Sequence, residues 1–165
     1  MVVPRPLNAV LGPMDQAHYC REVKAVLDSR LDQIRGRIQA TFLALPEKAK
    51  EITLGVHVDQ DGEGFLTIQV HLTGPDLYVI NKAISGTATI FDTVMTRIGL
   101  DPPLPLMSPG TDDFSVADAL ADCAIEWLES HWLAFQAPPV SLPISIASMD
   151  DYSSIGLVRL CSHEA

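Results

Sequence analysis

Residues 52–73 read ITLGVHVDQDGEGFLTIQVHLT. Ile52, Leu54, Val56 and Val58 recur at every second position, and so do Leu66, Ile68, Val70 and Leu72, the period of strands with one buried face. Asp, Gly and Glu between the two runs make a turn, so the segment predicts an antiparallel hairpin. Both apolar sets must face one core, which restricts the register to partners such as Val58 with Leu66 and Val56 with Ile68. The polar face then carries His57 opposite Thr67, and His71 opposite Thr53. In that register the two histidines stand four residues apart, about 13 Å, too far to share an ion.

The tip raises its own question. Asp59, Asp61, Glu63 and Gly64 fit the first half of a calcium loop, but its twelfth position, which needs a bidentate glutamate, is Val70 in a strand. The expectation is a solvated turn without a specific metal.

Working outward, Cys20, Val23, Leu27, Leu31, Ile34, Ile38, Phe42 and Leu45 fall at steps of three and four, which predicts one long helix from Asp15 to Leu45. Gly36 inside it marks a bend or a close approach, and Pro46 ends it. After the hairpin, Leu77 to Ser85 reads as a short helix with Pro75 and Asp76 at its start. Residues 86–100 fit a strand by β-branched content and a helix by the spacing of Ile90, Val94 and Ile98. The proline-rich 101–113 is an extended crossing segment. Ser115 and Asp118 open a second long helix, through Trp132, whose core face is Val116, Leu120, Cys123, Ala124, Trp127 and Leu128. Two short strands around an acidic turn close the chain. The fold class expected is α+β: a single domain at 14–165, after an irregular leader at 1–13, with two long helices packed on a largely antiparallel sheet.

Composition agrees with a globular domain. The 165 residues are 47% apolar and 19% charged, enough to form a core without staples. No apolar stretch reaches the length of a membrane span. The formal charge is −10, and it is uneven: residues 1–50 hold eight Lys/Arg against five Asp/Glu, residues 51–165 three against sixteen. Such a surface repels phosphate, so no nucleic-acid partner is expected.

Cys20, Cys123 and Cys161 are odd in number and widely spaced, which predicts unpaired thiols and, with them, a cytoplasmic protein. The pairs His18/Cys20 and Cys161/His163 lack zinc-site spacing. There is no G-x-S-x-G, S-x-x-K, dinucleotide or phosphate-loop motif, so neither a catalytic residue, a metal nor a cofactor is expected. Asp118, Asp122, Glu126 and Glu129 form a carboxylate stripe on the second long helix, suited to docking a basic protein. Trp132 near its end suits an interface anchor.

The stretch from Val56 to Ile84, VHVDQDGEGFLTIQVHLTGPDLYVINKAI, resembles small single-domain actinobacterial proteins of unknown function. That resemblance implies a bacterial cytosolic protein and gives no activity to carry over. Three functions compete. The first is a non-catalytic protein-binding module, immunity or antitoxin-like, using the stripe and Trp132 against a basic partner. The second is a homo-oligomeric accessory protein. The third is an enzyme or small-ligand protein with a site on the sheet's polar face at His57, Gln69 and His71.

Overall fold

The computed structural model describes residues 15–58, 65–105, 115–150 and 152–160. The leader and the hairpin tip at 59–64 lie outside the described residues, as does Cys161.

The sheet is built on the hairpin. Strands β1 (Glu51–Val58) and β2 (Leu66–Thr73) pair antiparallel in the expected register, with Val58 opposite Leu66, Val56 opposite Ile68 and Thr53 opposite His71. On the other side of β2 lies β3 (Thr89–Asp92), and β1 is flanked by β6 (Ile144–Ser148), which pairs with β7 (Val158–Leu160). The order is β3-β2-β1-β6-β7. Only β1 and β6 run parallel, because the chain between them crosses back through a helix. Val94–Thr96 (β4) and Gly99–Asp101 (β5) form a separate two-stranded ribbon. Residues 86–100 thus resolve as strands: β-branched content prevailed over the four-residue spacing of Ile90, Val94 and Ile98.

Helices α1 (Gln16–Ser29), α2 (Leu31–Leu43), α3 (Leu77–Ala83) and α4 (Val116–His131) close the core against Ile52, Leu54, Val56, Leu66, Ile68 and Val70. The single long helix expected at 15–45 is two. The break is at Arg30, whose φ of −110° and ψ of 11° leave helical geometry. Gly36 lies inside α2 with nothing within 4 Å of where a Cβ would stand, so it marks no close approach. Periodicity runs unbroken through Arg30 because a one-residue interruption leaves the apolar stripe on nearly the same side.

Short α3, which buries Ile80 in the core, also finishes the sheet. β3 pairs no further along β2 than Gln69. Beyond it Asn81 takes the place of a strand, its side-chain amide accepting from the Leu72 N–H at 2.9 Å and donating to the Leu72 carbonyl at 3.0 Å. A backbone edge is satisfied by one side chain.

Helix α4 starts as expected, with Ser115 Oγ accepting from the Asp118 N–H at 3.3 Å. Its burial is wider than a single stripe, for Ala117, Ala119, Ala121 and Ile125 are also buried. One side packs on β1 and β6, another on α1. At that second contact Cys20 and Cys123 form a disulfide, Cα atoms 5.5 Å apart across 103 residues of sequence. This corrects the expectation of unpaired thiols. Spacing along the chain carries no information about two positions that face each other across a helix interface. The bridge also removes the ground on which a cytoplasmic location was expected, since paired cysteines are the habit of oxidising compartments. Among the described residues no helix is long and apolar enough to cross a membrane.

Candidate functional site

The polar face of the sheet is half-exposed, with Thr53, His57, Thr67, Gln69, His71 and Ser145 all partly accessible. Its centre is Gly55, paired with Gln69. His57 lies in the next cross-strand row on one side of it and His71 in the next row on the other. A Cβ on residue 55 would stand 2.6 Å from His71 Cδ2 and 2.8 Å from Met149 Cγ. Only glycine admits the ring there.

The consequence is a contact that backbone spacing argues against. His71 leans over Gly55 until its Nε2 is 3.0 Å from Nε2 of His57. The expected separation of about 13 Å describes the backbone positions; two long side chains leaning toward each other over a glycine close it. The ring centroids are 5.2 Å apart. That is close to the N···N distance plus one centre-to-nitrogen length from each ring, so the rings meet nearly head-on. A shared ion would need both lone pairs to converge off that line, whereas a head-on pair suits one proton between two nitrogens.

A carboxylate stands at the far side of the His57 ring. Asp150 Oδ2 is 3.6 Å from His57 Nδ1 and accepts from the Val58 N–H at 3.1 Å. Its charge favours the proton on Nδ1 of His57, leaving Nε2 as an acceptor for the N–H of His71. Burial holds the His71 pKa below its usual value, and repulsion from His57 lowers it further whenever both rings would be protonated. The three residues make a carboxylate–imidazole–imidazole chain on an open face, able to take up or pass a proton and to hydrogen-bond a polar ligand. Among the described residues no group of three or more His, Cys, Asp or Glu gathers as a metal shell.

Of the residues expected to serve a ligand, His57 and His71 are thus brought together, and Gln69 lies between them on the same face, beside Gly55. Asp150, Gly55 and Met149 were not singled out from the sequence. A glycine inside an otherwise β-branched strand was the available signal, since it marks a close approach.

The carboxylate stripe has a different fate. Asp122 is 7% exposed. It accepts from the Ser154 N–H at 2.9 Å and the Ser154 hydroxyl at 2.6 Å, and also from the Ser153 hydroxyl. Asp118 accepts from the Ser153 N–H at 2.9 Å. Together they hold Ser153 at a φ of 141°, a backbone conformation costly for any side chain. Glu126 pairs with Lys24 at 2.9 Å. Glu129 remains exposed. The expectation of a free acidic stripe is therefore corrected for Asp118 and Asp122, which cap a turn of this chain. Trp132 is corrected as well: it is 8% exposed, its ring 5.8 Å from Phe42 and 6.1 Å from Phe135. The chain leaves α4 in a 3-10 turn, Trp132–Phe135, which rotates the indole into the core.

Comparison with curated proteins and with solved structures returns no match. A family of unknown function (DUF6389) matches residues 14–162, nearly the whole chain, and the protein belongs to that family.

Proposed function

We propose that this protein is a small-ligand-binding domain whose recognition surface is the open polar face of the sheet, with the His57–His71 pair at its centre and Gln69 beside it. The observation that carries the reading is the 3.0 Å contact of the two imidazoles over Gly55, oriented from behind by Asp150. A glycine in a central strand, a depressed histidine pKa and a carboxylate aimed at a ring nitrogen are separately ordinary. Their coincidence on one accessible face is what a recognition site needs. The test is a nuclear magnetic resonance titration with small polar compounds. A ligand that moves the His57, Gln69 and His71 resonances and binds at least about tenfold more weakly to His71→Ala supports the reading. Ligands that all map to other surfaces overturn it.

A second reading, a protein-binding module of bacterial immunity or antitoxin type directed at a basic partner, is supported by the net charge of −10 and by Leu77, Tyr78 and Val79, exposed in succession on α3. In this reading Glu126 and Glu129 supply steering and Trp132 supplies packing inside the domain. The association rate with a captured partner should fall as salt rises and fall again in Glu126→Gln/Glu129→Gln, and a rate indifferent to both disposes of the electrostatic part. Sedimentation of the purified chain separates it from the homo-oligomeric alternative.

A further inference from the structure

At one edge of the polar face a groove of about 310 Å³ runs between the start of β1 and the β6–β7 pair. It is near the lower bound of small-molecule sites, roughly 300–1,000 Å³. Arg159 of β7 stands opposite Ser145 of β6, which stands opposite Thr53 of β1, which stands opposite His71 of β2. One row of polar side chains thus crosses four strands and ends at a guanidinium. No described carboxylate lies within ion-pair reach of that guanidinium. Only Lys82 and Arg97 share its charge after residue 50, in a segment with sixteen acids.

Glu51 lines the same groove without pairing to Arg159. Its backbone is two strands across and two positions along, roughly 10 Å by 7 Å. Two opposite charges therefore border one cavity while each lacks a partner in the described chain. Leu157, which is 58% exposed, lies against the groove with Pro143 and Leu160, supplying an apolar wall.

We propose that this groove binds a small zwitterion of amino-acid or dipeptide size, its carboxylate at Arg159, its ammonium at Glu51 and its aliphatic side chain on Leu157. A guanidinium presents parallel N–H donors that match a carboxylate. A simple anion would meet Glu51 and the overall negative field, and a simple cation would meet Arg159; a molecule carrying both charges satisfies both ends. The Ser145 hydroxyl also lines the groove, where it can donate to the carboxylate or accept from the ammonium. The proposal rests on the sheet's polar face being a recognition surface, and it adds a subsite at the edge of that face, distinct from the histidine pair.

The experiment is calorimetric titration of the full chain with leucine and with alanyl-leucine, against N-acetyl-leucine and leucinamide, which each lack one charge. Saturable binding is expected for a zwitterion. It should be weaker by at least about tenfold for the half-charged analogues, and likewise in Arg159→Gln and in Glu51→Gln. Both substitutions are at exposed positions, and circular dichroism verifies the fold. Absence of saturation below about 10 mM for every zwitterion, or binding indifferent to Arg159→Gln, overturns the proposal. If binding survives Arg159→Gln but is lost in His71→Ala, the ligand sits at the histidine pair: this groove falls and the broader reading of the face stands. If no small compound of any charge perturbs the face, both fall.

Discussion

His57 and His71 touch through their Nε2 atoms, 3.0 Å apart, above a residue that has no side chain. Three features bear on the contact: the hairpin register, the glycine between the two rows, and the Asp150 carboxylate 3.6 Å from His57 Nδ1, whose charge favours a proton there. Each can be perturbed separately.

Acid should weaken the fold through this pair. The folded-state pKa of His71 lies below the ordinary histidine value of about 6.5, because burial and the facing His57 disfavour its charge. The unfolded chain therefore binds more protons in the interval beneath that value. The associated stability is fully present above pH of about 6.5 and is lost as pH falls through the lowered folded value. Urea unfolding between pH 7.5 and pH 5 should show this loss, and His71→Gln should flatten the slope. An unaltered slope in His71→Gln would assign the acid sensitivity to other groups.

Gly55→Ala should break the pair while leaving the sheet intact. The new methyl would lie within 3 Å of both the His71 ring and the Met149 side chain, each of which can swing aside. The expected cost is about 1–2 kcal/mol, as for overpacking relieved by rotamer changes. The diagnostic readout is the imidazole nitrogen resonances, which should lose the signature of a shared proton. If those resonances are unchanged, the head-on contact does not exist in solution.

Neutralising the acids of α4 should divide them into two kinds. Asp122→Ala removes the acceptor that holds the 153–155 turn and should cost about 2–4 kcal/mol, the range for losing several hydrogen bonds to a buried charge. Glu126→Gln removes one half-exposed ion pair and should cost less than about 1 kcal/mol. Denaturant midpoints of the two variants test this, and equal effects would return all four acids to a single solvated stripe.

The bridge between Cys20 and Cys123 should appear as a two-proton mass deficit in the native protein. Its loss in Cys20→Ala/Cys123→Ala should lower stability by about 2–5 kcal/mol, since it closes a 103-residue separation. A thermal midpoint indifferent to reductant would show that α1 and α4 hold each other by packing alone.

Alternation in residues 52–73 was enough to limit the central hairpin to registers that set inner face against inner face, the one with Val58 opposite Leu66 among them, because a one-residue slip would have turned every buried side chain of β1 outward. The start of α4 was equally legible, since the Ser115 cap is a local contact. Legibility failed where the deciding neighbour was remote. The apolar stripe of residues 15–45 contains no trace of the break at Arg30, and Trp132 read as an interface anchor, whereas the turn after α4 carries it against Phe42.

What the sequence by itself determined, then, is the identity of the inner and outer faces of the two hairpin strands, and so the placing of His57, Gln69 and His71 together on the outer one. Tertiary structure alone decided that the two imidazoles meet, that Asp150 stands behind them, that Asp118 and Asp122 turn inward to residues 153–155, and that Cys20 finds Cys123. The physical reason is one of range. Strand and helix periodicities are set by backbone geometry over a few residues, whereas the reach of a side chain across a glycine and the approach of segments about 30 to 103 residues distant depend on how the whole core closes.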